Sequence, residues 1–160
     1  RGLGDVYKRQ VMRILDQKKI EYKERTYLNT GAIGGQEVAE ALGEDANKVF
    51  KTLVTVGKTG NHYVFLVPVN KELNLKKAAK AVNEKKIEMI KSKELLPLTG
   101  YIHGGCSPIG MKKFFKTTIH STAENYDTIM FSAGKIGYQV ETSLNSLKKV
   151  IRFDLEDIAD

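Results

Sequence analysis

The sequence predicts an α+β domain arranged around a central sheet. Three observations carry that expectation. Val49–Val56 (VFKTLVTV) and His62–Val69 (HYVFLVPV) are β-branched and aromatic runs, and the turn Gly57–Asn61 (GKTGN) between them makes a hairpin signal. Asn74 precedes Leu75–Val82 (LKKAAKAV), which sets Leu75, Ala78, Ala79 and Val82 on one helical face behind an N-cap. The remaining strand and helix patterns follow one another without a regular βαβ rhythm, which argues against a doubly wound parallel sheet.

The other elements follow in order. Val11, Ile14, Leu15 and Lys18 recur at helical spacing, so Val11–Lys19 is expected to be a short helix. Ile20–Leu28 alternates as a strand does, and Asn29–Gly35 (NTGAIGG) has loop composition. Gln36–Leu42 presents Val38, Ala41 and Leu42 on one face, with Gly43 as its C-cap. Pro68 fits only near the end or edge of its strand, because it has no N–H for a ladder. Ile87–Ile90 reads as a short strand, and Ser92 opens a brief helix that Pro97 helps to end. Phe114–Ile119 and Thr128–Ser132 read as strands. Ala133–Gly137 (AGKIG) turns the chain into Tyr138–Glu141. Ser143 or Ser146 caps a last helix near Leu147–Val150, and Arg152–Ile158 closes the domain.

The 160 residues suit one domain with a core that needs no staples. Arg1–Gln10 lack an initiator methionine and a clean amphipathic period. They are expected to be a non-native or disordered leader before a single domain over 11–160. No apolar run approaches the roughly 20 residues of a membrane span. A single cysteine, Cys106, cannot form an internal disulfide, so a cytoplasmic location is the expectation. The net charge of +7 suits a polyanionic partner such as RNA, because Lys and Arg displace counterions from phosphates.

Several features could carry chemistry. Lys51 interrupts an apolar strand and shares a face with Val49 and Leu53. It reads either as an edge-strand gatekeeper or as a cation aimed into a pocket. Gly104–Gly110 (GGCSPIG) can aim backbone N–H groups at a developing negative charge, or can be a tight connection. Ser132 ends a strand before a Gly-containing turn and could point its hydroxyl into a site. His103 and Cys106 lack the second ligand pair a zinc site needs, so neither a metal nor another cofactor is expected. His62 and His120 stand alone, and no nucleophile elbow is present. Lys112, Lys113 and Lys116 follow the Gly-rich loop and flank Phe114 and Phe115, a pattern suited to the phosphates of an RNA 3′ end.

In order along the chain, Val49-Phe50-Lys51-Thr52-Leu53, Leu73–Ala79, Gly100-Tyr101 with Gly104–Gly110, and Ser132–Lys135 together resemble the YbaK family of aminoacyl-tRNA deacylases. These are free-standing relatives of the editing domain of bacterial prolyl-tRNA synthetases. The resemblance runs from about Val11 to the C-terminus. It implies a mixed, barrel-like sheet flanked by helices, and hydrolysis of cysteine mischarged on tRNA for proline, with the substrate's own thiol as nucleophile. It also implies a tRNA partner; a small domain has little surface to read a whole tRNA, so either weak electrostatic binding or recruitment by prolyl-tRNA synthetase is expected. On this resemblance Lys51, Gly104 and Gly105 are catalytic. Tyr27, Thr52, Ser107, Pro108, Ser132 and Gly134 bind substrate, and the basic pattern after the loop adds Lys112, Lys113 and Lys116 as expected tRNA contacts. A deacylase for another amino acid, such as alanine, and a non-catalytic module binding tRNA or a synthetase are the alternatives. Two positions depart from the family pattern. Ile33-Gly34-Gly35 replaces an aromatic wall, and Gln139 stands where several relatives carry aspartate.

Overall fold

A computed structural model of the chain describes residues 3–28 and 30–160. Arg1 and Gly2 of the expected leader, and Asn29 at the start of the expected loop 29–35, lie outside the described residues. The chain runs α1 (Leu3–Gln17), β1 (Lys23–Thr26), α2 (Gly35–Leu42), β2 (Phe50–Gly57), β3 (His62–Pro68), α3 (Leu75–Val82), β4 (Ile87–Met89) and α4 (Ser92–Thr99). It continues through β5 (Lys116–His120), β6 (Ile129–Ser132), β7 (Tyr138–Thr142), α5 (Leu144–Leu147) and β8 (Asp154–Glu156).

Two sheets form. One has the order β4-β2-β3-β5-β8 and the other β1-β7-β6. The hairpin β2–β3 is antiparallel, with Leu53 opposite Phe65 and Val54 opposite Val64. β3 with β5 and β5 with β8 are parallel, so the larger sheet is mixed. The α+β expectation holds, but the strands do not close into a barrel. Among the described residues, one parallel bridge, between Val49 and Met130, links the backbones of the two sheets.

Period-two alternation buries both faces of the hairpin. Phe50, Val54, Val64 and Leu66 join a core with Val11 and Leu15 of α1 and Phe131 and Val140 of the smaller sheet. Tyr63, Phe65 and Val67 face the other way, onto Ala78, Ala79 and Val82 of α3. Asn74 caps α3 as expected, its side chain accepting from the N–H groups of Lys76 and Lys77. Leu75, assigned to the buried face of this helix, is instead 42% exposed, at the first helical position after the Asn74 cap. Gly43 closes α2 in the left-handed conformation (φ 68°).

Some boundaries differ from the sequence reading. β1 keeps only four residues of the expected strand 20–28, the four that pair with β7. Pro97 lies inside α4, which continues to Thr99 before Gly100 stops it. Ser143 caps α5 by accepting from the Ser146 N–H, so the last helix begins three residues before Leu147. α1 begins at Leu3, not Val11, so residues 3–10 of the expected leader are helical. The Tyr7 ring packs against Tyr101 at 5.1 Å, and Lys135 pairs with Asp5. Lys8 sits 4.3 Å from the centre of the Tyr138 ring. No described helix is long and apolar enough to cross a membrane.

Candidate active site

A cavity of about 300 Å³ lies between the two sheets. Its first wall is β2, contributing Phe50, Lys51, Thr52 and Leu53 after Val49. β4 pairs only with Thr55–Gly57, so the earlier half of β2 is uncovered on that side. The Val54 carbonyl accepts from the Ile90 N–H on the β4 side. Alternation therefore turns the main-chain groups of Thr52 to the same side, beyond the end of β4. Lys51 is the edge-positioned lysine of the sequence reading, with the edge opening onto a cavity.

Lys51 is partly exposed, and its Nζ stands 3.6 Å from Glu72 Oε1, on a side chain that is 90% exposed. A pair with so exposed a partner is weakly held, at about 0–1 kcal/mol, and a bound anion can displace it. The cavity also takes Gly34 and Gly35 at the start of α2, the positive end of that helix.

The second wall is the loop after α4. The turn Ile102–Gly105 closes with a hydrogen bond from the Gly105 N–H to the Ile102 carbonyl at 3.0 Å, with Gly104 at φ +87°. Gly104 and Cys106 line the cavity, with His103 beside them. Gly105, expected to offer an amide to substrate, instead donates it within the turn and packs over the Gly134–Ile136 backbone. Among the described residues, the N–H groups of Gly104 and Cys106 have no hydrogen-bond acceptor. Those two amides, not that of Gly105, are the ones free to meet a carbonyl oxygen or oxyanion.

Ser107 is fully buried outside the cavity, its Oγ accepting from the Ile109 N–H. Pro108 lines a neighbouring small cavity with Gly110 and Lys113. Neither Ser107 nor Pro108, expected to bind substrate, lines the cavity in the described structure. Tyr101 holds the loop from behind by donating to the Ile109 carbonyl. Burial drives the Tyr101 phenol well above its ordinary pKa, so it stays a protonated donor.

The third wall is the smaller sheet. Tyr27, just past β1, donates its N–H to the Gly137 carbonyl, and its buried side chain lines the cavity. Ser132 and Gln139 are cross-strand partners on β6 and β7, and both line the cavity. The Ser132 Oγ accepts from the Gly134 N–H at 3.1 Å, which leaves the hydroxyl proton for another acceptor. Gly134 lies outside the cavity and shapes that turn at φ +98°, where a Cβ would meet the Tyr101 ring.

Thr52 Oγ1 and Gln139 Oε1 are both buried without a hydrogen-bond partner. Both residues line the cavity. Two orphaned buried polar atoms in one cavity are costly unless a ligand satisfies them. Gln139 is the residue that sequence reasoning left without a role. Its signal was a polar side chain inside a strand, opposite Ser132. Ile33, in place of an aromatic wall, lines the cavity and is 59% exposed.

Cys106 also lines the cavity, but burial pushes its thiol up to about 12, so it is neutral near pH 7 and a poor nucleophile. Among the described residues, Ser132 has no hydrogen bond to a histidine or carboxylate that could activate it. Lys112, Lys113 and Lys116 are exposed and lie outside the cavity.

The sequence profile of the aminoacyl-tRNA editing domain matches residues 32–150. A protein of Enterococcus faecalis, provisionally named Cys-tRNA(Pro)/Cys-tRNA(Cys) deacylase EbsC, is 47% identical over 135 residues, covering 84% of this chain and 82% of that protein. Proline--tRNA ligase of Fervidobacterium nodosum is 29% identical over 99 residues, which span 62% of this chain and 17% of the ligase. A solved structure of a protein provisionally described as a trans-editing enzyme for prolyl tRNA synthetase superposes with a TM-score of 0.83 at 23% identity. It covers 96% of this chain and 97% of its own, and shows the shared fold. With a profile match across most of its length and a relative this similar, the chain belongs to the aminoacyl-tRNA editing domain family.

Proposed function

We propose that the chain is a trans-editing deacylase that releases cysteine from mischarged Cys-tRNA(Pro). The observation that carries this reading is a cavity equipped to hold an ester and stabilise charge, without an activated nucleophile of its own. Lys51, the Gly104 and Cys106 amides and the Ser132 hydroxyl are cationic or donor groups. The thiol in the wall is neutral. The nucleophile then comes from the substrate, whose cysteine sulfur lies three bonds from the reacting carbonyl.

The sulfur attacks its own carbonyl carbon, the thiol proton is lost, and a C–S bond forms. The C–O bond to the terminal ribose breaks, and the ribose oxygen leaves as a hydroxyl after taking a proton. The four-membered thiolactone released from the tRNA is hydrolysed by water to cysteine. In this reading the Gly104 and Cys106 amides hold the oxyanion, and Lys51 contacts the terminal phosphate or the reacting ester. Thr52 and Gln139 receive the polar groups of the aminoacyl-adenosine, while Tyr27 and Ser132 shape the pocket. Such editing answers a physical limit, since one methylene-sized difference gives a synthetase only about 1–3 kcal/mol of discrimination. The domain over 11–160 carries the activity in the cytoplasm, with prolyl-tRNA synthetase presenting the tRNA.

The test is a deacylation assay on tRNA(Pro) charged with cysteine, alanine or proline. Cysteine is expected to be released selectively. Lys51→Ala is expected to lower kcat/KM by about 10–100-fold, the worth of a charged hydrogen bond. No release from any of the three would sink the enzyme reading. Release confined to alanine would move the substrate.

A further inference from the structure

About four residues along β3 from the pairing of Lys51 with Val67, where Lys116 of β5 pairs with Tyr63, a groove of about 540 Å³ is lined by Phe114, Lys116, Lys148 and Arg152, with Asp154 as its acid. Phe114 is 57% exposed, a large aromatic surface left in water. The Arg152 guanidinium lies 6.0 Å from the centre of its ring. Among the described residues, Lys116, Lys148 and Arg152 have no ion-pair partner, although Asp154 lines the same groove. Lys8, Lys48, Lys77 and Lys135 elsewhere are paired. Uncompensated cations around an exposed aromatic ring are suited to phosphates and a stacked base together.

The loop joins this groove to the cavity. Gly104 and Cys106 line the cavity, and Pro108 and Gly110 line the small neighbouring cavity with Lys113 and Phe114. Phe114 then lines the groove itself. From Cys106 in the cavity to Phe114 in the groove the chain runs eight residues, at most about 29 Å when extended, a reach of a few nucleotides.

We infer that the Phe114–Lys116–Lys148–Arg152 groove binds the single-stranded 3′ tail of the tRNA, stacking one base on Phe114 while the three cations neutralise its phosphates. The inference rests on the proposed deacylase reading only for the identity of the RNA. Lys116 was expected from sequence to contact tRNA. Phe114, Lys148 and Arg152 are new, and the fold brings them together from segments more than 30 residues apart.

Two measurements on the full chain test it. Fluorescence anisotropy with uncharged tRNA(Pro) reads binding even if no hydrolysis occurs. Phe114→Ala and the pair Lys148→Ala/Arg152→Ala should each weaken binding about tenfold. The double variant should also flatten the dependence of log K on log salt by between one and two. Steady-state deacylation should show KM for Cys-tRNA(Pro) raised with kcat unchanged, and hydrolysis of cysteinyl-adenosine, which fills only the cavity, unaltered. Unchanged tRNA affinity with folded variants would overturn the inference. So would an equal loss on cysteinyl-adenosine, or a loss seen only when prolyl-tRNA synthetase is present, which would assign the groove to a protein partner. Failure of the wild type to deacylate, with anisotropy behaving as expected, would overturn the enzyme reading and leave the groove standing.

Discussion

In the proposed reading, Thr52 and Gln139 hold substrate at a cost to stability. Each buries a polar oxygen without a partner in the cavity. An unsatisfied buried group costs about 1–3 kcal/mol, and an apolar residue of the same shape removes that cost. Thr52→Val and Gln139→Leu should therefore leave the protein as stable or raise Tm by a few degrees, while deacylation falls at least tenfold. Thermal melts beside kinetics check this, and a drop in both stability and activity would mean that these atoms are structural. Lys51 was legible in the sequence because a lysine in an apolar strand violates the pattern around it. Gln139 was not, because the turn that joins its strand to that of Ser132 does not by itself fix the register that sets the two opposite each other.

At the scale of elements, the 104–110 loop is held by groups outside the cavity. The Tyr101 hydroxyl donates to the Ile109 carbonyl, and Tyr7 of α1 packs on the Tyr101 ring. Deleting residues 1–10 is expected to lower Tm by roughly 5 °C through loss of that aromatic pair and the Lys135–Asp5 contact, and to leave deacylation measurable. An unchanged Tm would show that the first turns of α1 brace nothing.

A second brace joins the C-terminal segment to β5, where the Ile158 N–H donates to His120 Nδ1 at 3.1 Å. Burial lowers the His120 pKa, the nearby Lys71 and Lys77 charges add to the effect, and Asp157 opposes it. The unfolded chain protonates this histidine below about pH 6.5, whereas the folded chain does so only at lower pH. The unfolded state thus holds more protons in that window, and stability falls as the pH drops through it. Melts from pH 7.5 to 5 should show this decline, and His120→Gln should flatten it. The Glu141 carboxyl acts in a lower window. Burial would raise its pKa, but hydrogen bonds from Thr128, Arg25 and Lys48 hold it below the ordinary carboxylate value. Its contribution is present above about pH 4.5 and is lost only as the pH falls through that lowered value.

At the scale of the molecule, local rules carried the sequence reading as far as the hairpin β2–β3, the Asn74 cap and the Gly43 stop, each fixed by neighbours within a few residues. What they could not carry is non-local. The meeting of the two sheets at Val49 and Met130, the parallel pairing of β8 with β5, and the early end of β4 that uncovers Thr52 all depend on long-range pairing. The same limit hides from the sequence that Ser107, Pro108 and Gly134 stand outside the cavity lining, in the turns behind it.

Among the described residues the cavity has no activated nucleophile, so the proposed mechanism stands or falls on the substrate's sulfur. Single-turnover deacylation of tRNA(Pro) carrying cysteine, set against the same tRNA carrying 2-aminobutyrate, tests this directly, since the two differ only in the thiol. Loss of at least a hundredfold in rate with 2-aminobutyrate is the predicted result. Equal rates would place the nucleophile in the protein or in water and contradict the account.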